Sequence, residues 1–218
     1  MIGYLQRLLL KYKLFAYAFV ILYYSVGIWG LINQSSQPLF ISLIPFSLIL
    51  SFVLLMLFHY QPFNAKSGVI FITIFLVSFI VEAIGVASGL LFGNYSYGSG
   101  LGYKLLETPI IIGLNWVFVS YISASLGCLI TRNRFQSILI SSLIMVVYDV
   151  VLEQVAPKLD MWSWQDGVVP IQNYLAWFFM ALIFQILLKI SKIDFNNRMS
   201  LLLLVCQILF FIILIIKL

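Results

Sequence analysis

Seven runs of apolar residues, each about 18–24 long, partition this chain: 14–32, 39–59, 69–92, 109–130, 136–156, 170–190 and 199–217. A helix needs roughly 20 such residues to cross a hydrocarbon layer about 30 Å thick. Of its 218 residues 63% are hydrophobic and 9% charged, too little polar surface to clothe a soluble domain of this size. The pattern predicts an all-α fold, a polytopic integral membrane bundle of seven transmembrane helices. The connections are only about 5–16 residues long, so residues 1–218 are expected to form a single domain. The first run is too long for a cleavable signal, and no small-residue cleavage site follows it before Asn33, which makes residue 1 the expected mature start.

Basic residues fix the expected orientation. With a cytoplasmic N-terminus, Arg7, Lys11, Lys13, Lys66, Arg132, Arg134, Lys189, Lys192 and Arg198 fall inside, leaving Lys104, Lys158 and Lys217 outside. Nine against three satisfies the positive-inside rule for a multi-pass protein of the inner (cell) membrane, and seven spans put the C-terminus outside. The net charge of +5 then sits where anionic membrane lipids are met, and no nucleic-acid partner is expected.

Metal chemistry has little to stand on. Cys128 and Cys206 lie inside spans without CxxC spacing or a suitable His neighbour, and read as small packing residues. His59 ends the second span at the cytoplasmic interface, where a lone histidine reads as a solvated cap. No metal and no cofactor are expected.

The acids are different. A charge at bilayer depth costs roughly 2.5–3.5 kcal/mol on insertion scales, so an intramembrane carboxyl is a functional-site candidate. Glu82, Gly85, Gly89 and Gly93 follow at spacings of three and four, which places them on one helical face of span three. Glycines so spaced let a neighbouring helix approach closely. With the span running to 92, Glu82 is expected about 15 Å from its outer end, near mid-membrane. Asp149 and Glu153 stack one turn apart in span five, with no Lys or Arg at helical spacing within it. Two such carboxyls in a poorly solvated interior cannot both ionise cheaply, and one that keeps its hydrogen at pH 7 is a proton donor. Glu107 lies at the same outer interface. So do Tyr95, Tyr97, Tyr103, Trp116, Trp162 and Trp164, which suit an interfacial aromatic belt and whose ring faces also stabilise cations.

The stretch Glu82-Ala-Ile-Gly85-Val86-Ala-Ser88-Gly89-Leu-Leu-Phe92-Gly93-Asn-Tyr95-Ser-Tyr97, followed by Leu101-Gly102, Pro109 and Trp116, resembles the signature of the membrane carotenoid 1,2-hydratases. Asp149-Val-Val-Leu-Glu153, then Trp162-Ser-Trp164, is similar to their second motif. These are bacterial enzymes related to archaeal bisanhydrobacterioruberin hydratase and γ-carotene 1′-hydratase. The likeness covers roughly 82–164. Ser88 replaces an expected Thr, and Leu91 and Gln154 stand where prolines are usual.

The resemblance implies addition of water to the terminal C1–C2 alkene of a lipid-soluble acyclic carotenoid ψ-end, through a tertiary cation. It implies Glu82, Asp149 and Glu153 as catalytic residues, with Asp149 or Glu153 giving the proton and Glu82 orienting water or stabilising the cation. Gly85, Gly89, Gly93, Tyr95, Tyr97, Asn115, Trp116, Trp162 and Trp164 become the substrate-binding set, and loops 93–108 and 157–169 the lid.

Rival readings share some of these features. A membrane lycopene cyclase uses the same protonation but traps the cation with an internal alkene. A proton-coupled transporter also buries carboxyls, but here the acids cluster in spans three to five without a counterpart set elsewhere. A retinal protein needs a lysine inside the last span, which offers only Lys217 at its end.

Overall fold

The computed structural model describes residues 11–59 and 64–218. Arg7, counted above among the basic residues, lies outside them. The described chain begins with helices α1 (Lys13–Ile32), α2 (Gln37–Ser42), α3 (Ile44–Leu57) and α4 (Ala65–Ser88). Short strands β1 (Tyr95–Tyr97), β2 (Lys104–Leu105) and β3 (Thr108–Pro109) lead into α5 (Ile111–Ile130) and α6 (Arg134–Glu153). A 3₁₀ turn (Ala156–Leu159) and β4 (Trp162–Trp164) precede α7 (Ile171–Ser191) and α8 (Arg198–Lys217).

Among the described residues six helices, α1 and α4 to α8, are long and apolar enough to cross a membrane. The expected second span, 39–59, is broken at Leu43. Pro45 has no N–H to donate to Ile41, and its ring crowds that carbonyl, so α2 stops and α3 restarts with Pro45 in its first turn. The 14 residues of α3 cover about 21 Å, short of a full crossing. It still runs between the two ends of the bundle: Pro45 abuts Gly102, and the Leu55 carbonyl accepts from Asn197 Nδ2 at 2.9 Å.

Helix α5 is the axis. It packs against α3, α4, α6, α7 and α8, and small residues let the neighbours come close: a Cβ on Gly113 would lie 2.8 Å from the Phe75 carbonyl, and one on Gly127 2.9 Å from that of Ser137. The outer helices turn Leu14, Phe15, Trp29, Ile72, Phe179 and Ile183 outward, as lipid-facing stripes do. Asn64, Asn133 and Asn197 cap the N-termini of α4, α6 and α8 with their side chains.

Several expectations change. Helix α4 ends at Ser88, not 92, because Gly89 takes the left-handed cap conformation (φ +67°) and returns its N–H to Gly85 O at 2.8 Å. Glu82 therefore lies only about 9 Å from the helix end, and Gly93 (φ +111°) is off the helical face altogether. What closes on Gly85 is not another helix but Phe92 of the chain's own loop, whose ring would sit 2.6 Å from a Cβ there.

His59 is buried rather than a solvated cap: the short α3 tucks it inside, with Nδ1 2.7 Å from the Tyr121 hydroxyl. Loops 93–108 and 157–169 are not irregular. They pair as an antiparallel ribbon, Tyr95 opposite Trp164, Ser96 opposite Ser163 and Tyr97 opposite Trp162, adding a small β element to the otherwise helical fold.

Candidate active site

The ribbon's sequence explains its use. In Tyr-Ser-Tyr and Trp-Ser-Trp the aromatic residues occupy alternate positions, so in a paired strand all four rings share one face and both serines the other. The rings turn inward. Tyr95 and Tyr97 donate their hydroxyls to Glu82 Oε2 at 2.6 and 2.8 Å. Trp162 and Trp164 donate their indole N–H groups to Glu153 Oε2 at 3.0 and 2.8 Å. Trp116, from α5, completes the Glu82 shell with an N–H to Oε1 at 3.0 Å, its ring stacked on Trp177 with centroids 3.9 Å apart.

Asn173 on α7 joins the two acids of α6. Its Nδ2 lies 2.9 Å from Asp149 Oδ2 and 3.4 Å from Glu153 Oε1. Asp149 is fully buried, and among the described residues its Oδ1 meets no protein partner. The shells are thus unequal: three donors on Glu82, three on Glu153, one on Asp149. Every one is a phenol, an indole or an amide.

Glu82 and Glu153 face a common cavity of about 20 Å³, room for one water molecule. Tyr95, Tyr97, Trp162 and Trp164 roof it, Asn173 stands beside the acids, and Phe92, Ile112 and Trp177 close the rest. Asp149 lies behind Asn173 and outside this lining.

The roof is held from outside the spans. Asp160 Oδ2 accepts from the backbone N–H of Ser99 at 2.8 Å and from its hydroxyl at 2.5 Å, and these bonds keep the Asp160 carboxyl below its usual range. Gly98 N–H donates to Met161 O and Gly100 N–H to Asp160 O, prolonging the pairing. Burial, then the nearby Glu82 carboxyl, pushes both Tyr95 and Tyr97 well above the ordinary tyrosine range, so both remain hydroxyl donors at neutral pH.

Most of the residues expected at the site meet there. Gly85 makes room for Phe92, and Gly93 for Trp164 and Pro170, the latter 2.7 Å from a Cβ placed there; Gly89 ends the helix and leaves space for the Asn94 side chain. Asn115 is buried but lines a separate apolar cavity of about 30 Å³ with Leu152 and Trp162. Glu107 is exposed at the tip of the β2–β3 hairpin, where Leu106 and Glu107 take φ of 53° and 58°, and Tyr103 is exposed too. Phe92 falls within the family-like stretch but had no role assigned to it, and Ile112, Asn173 and Trp177 were not singled out. Of those three only Asn173 carried a signal, as a polar residue in an apolar span. Among the described residues no group of three His, Cys, Asp or Glu side chains is arranged to hold a metal ion.

Residues 43–218 match the family described as carotenoid biosynthesis protein. The chain belongs to that family. The match takes in every element of the chamber and reaches well past the 82–164 stretch in which the motifs lie; among the described helices α1 and the short α2 are wholly outside it. Comparison with curated proteins and with solved structures returned no match. Membership of the carotenoid biosynthesis family gives the chain a role in making polyene pigments, for which a multi-pass bundle with lipid-facing flanks is a fitting host.

Proposed function

We propose that the chain is a carotenoid 1,2-hydratase of the inner membrane. It adds water across the C1–C2 double bond of an acyclic ψ-end and leaves a tertiary alcohol at C1. The Asp149–Glu153 pair holds the proton, since two carboxyls one turn apart share one more cheaply than both ionise. Glu82, ringed by three donors, acts as the carboxylate. The proton leaves the acid for C2, the alkene's π electrons form the new C–H bond, and the cation at C1 takes the oxygen of water. A carboxylate accepts the proton that water sheds, so the proton count of the site is unchanged and one water is consumed.

One observation carries this reading: the two glutamates face each other across a space the size of a water molecule, under four aromatic rings. A cyclase would fill that space with its internal alkene and has no need of water there. The family membership supplies the substrate class, and the ribbon end of the bundle is assigned to the outer leaflet. The basic residues agree: Lys66, Arg132, Arg134, Lys189, Lys192 and Arg198 sit at or beyond the helix ends away from the ribbon, and are assigned to the cytoplasm.

Expression in a host making lycopene or γ-carotene tests the proposal. Pigments heavier by one water are expected from the native chain and not from Glu82→Gln, Asp149→Asn or Glu153→Gln. An unchanged mass with a new ring would make it a cyclase, and full hydration by the three amide variants would remove these acids from the mechanism.

A further inference from the structure

Tyr95 has two sides. Its hydroxyl and ring wall the small acid chamber, and the same residue also lines a second, larger space of about 340 Å³ with Val86, Asn94, Ser96, Ser163 and Gln165. That groove lies over the outward face of the ribbon, where Ser96 and Ser163 point by the alternation that sends the rings inward. Apart from Val86 and the Tyr95 ring its walls are amide and hydroxyl side chains, and Asn94, Ser96, Ser163 and Gln165 are all exposed. Another part of the chamber lining has a different character. Ile112 and Trp162 are shared with the cavity of about 30 Å³ enclosed by Leu48, Leu101, Leu152 and Phe211. The acids thus stand between a polar space and an apolar one, with one residue dividing them on the polar side.

We propose that the groove is the binding and supply site for the nucleophilic water and that Tyr95 is its gate, while the hydrocarbon end reaches the acids from the Ile112–Trp162 side. This rests on the hydratase reading and adds to it the route of one reactant. Tyr95 is only half-buried. It is held at its hydroxyl by Glu82 and along its ring by Trp164, centroids 5.2 Å apart, and by the edge of Phe92. Swinging the ring outward joins groove and chamber and delivers water beside Glu82, the carboxylate that takes its proton. In the closed position the ring lies over the cation and excludes bulk water until the proton has been delivered. If protonation occurs with the groove blocked, the cation has no oxygen to take. It then returns a proton, either from C2 to restore the alkene or from a C1 methyl to give the terminal methylidene isomer.

That fate is measurable. Ser163→Cys and Ser96→Cys place a thiol in the groove on exposed side chains that touch none of the acids, and a bulky methanethiosulfonate reagent can be attached after the protein has folded. The wild-type chain, whose Cys128 and Cys206 are part-buried, is treated in parallel as the baseline. Assays run in D₂O with an acyclic carotenoid. Labelling of protein whose acids were first equilibrated in D₂O is expected to lower the hydrated product at least tenfold relative to the same variant unlabelled, while the deuteron already held by the acids still enters the ψ-end of bound substrate in a single turnover. Hydration unchanged after labelling at both positions would overturn the proposed route, as would parallel loss of hydration and deuterium uptake. If the unlabelled variants and the wild type yield neither hydrate nor deuterated substrate, it is the hydratase reading that fails.

Discussion

Replacing Trp162 and Trp164 by Phe, singly and together, tests the roof of the chamber as a chemical device rather than a cover. Phenylalanine keeps an aromatic ring on the inward face of the ribbon and removes only the indole N–H and part of the ring area. Both N–H groups end on the same atom, Glu153 Oε2, at 3.0 and 2.8 Å. A hydrogen bond to a charged group contributes about 1.5–3 kcal/mol net. These donors stabilise the negative charge left on the acid pair as the proton departs for the alkene. If about half that charge has developed in the transition state, each indole contributes about 0.75–1.5 kcal/mol to the barrier, or roughly 3- to 12-fold in rate. Loss of both gives roughly 10- to 150-fold. Because the two share one oxygen, the remaining indole takes up part of the loss in each single variant, so the double variant should lose more than the product of the two single losses. The assay is initial hydration rate in membranes at equal folded protein, with Tm as the control for packing. Native rates in the double variant would refute the reasoning, since an indole that supplies nothing to Glu153 leaves the ribbon only a covering role.

Three further outcomes follow from the geometry. Gly93→Ala should lower stability by about 1–3 kcal/mol, read as a Tm fall of several degrees in detergent, because φ is +111° and a Cβ would lie 2.7 Å from Pro170 Cγ; Gly167→Ala, with nothing within 4 Å of its Cβ, should cost only the left-handed strain. Asp160→Asn should lose about 0.5–1 kcal/mol after solvent screening. Since the Asp160 carboxyl is held below its ordinary 3.8, that contribution is present above this pH and lost as pH falls through the folded value, so the two Tm curves should converge in acid. Tyr95 and Tyr97, held far above the tyrosine range by burial and by Glu82, should stay protonated at about pH 10.5; a Tyr95→Phe/Tyr97→Phe protein showing less tyrosinate absorbance there than the native chain would count against the closed roof.

The helical frame and the acids could be read from the chain because both rest on local rules. Apolar length sets a span, and a carboxyl in such a span has few reasons to exist. Two errors were also local and had signals. Pro45 inside an apolar run marks the break between α2 and α3, and Ser88-Gly89 marks the end of α4. Treating the glycines at 85, 89 and 93 as one helical stripe hid that stop. The strand alternation in Tyr95-Ser96-Tyr97 and Trp162-Ser163-Trp164 was visible too, but nothing in either tripeptide names the other as its partner or fixes the register that sends two phenols to Glu82 and two indoles to Glu153. Asn173 could not be assigned for the same reason. Its role depends on the azimuth of α7 against α6, which is a property of packing and not of spacing.

The chamber's charge balance gives the arrangement its sense. Among the described residues the hydrogen-bond partners of Glu82, Asp149 and Glu153 are all neutral, with no lysine, arginine or histidine among them. Neutral donors spread a carboxylate's charge without cancelling it, so in the proposed resting state the negative charge on Glu82 is stabilised but has no counter-ion. For a binding protein that is an expense with no return. For the proposed hydration it is what the reaction requires, because the missing positive charge appears only when the alkene has been protonated. An attraction felt by the cation and not by the neutral polyene lowers the barrier without tightening the ground state, and an added fixed cation would undo it. Lysine placed at Ile112, on the chamber wall, would neutralise the acids permanently and should abolish hydration even where the protein still folds, whereas Ile112→Met, of similar volume and uncharged, should keep most of it.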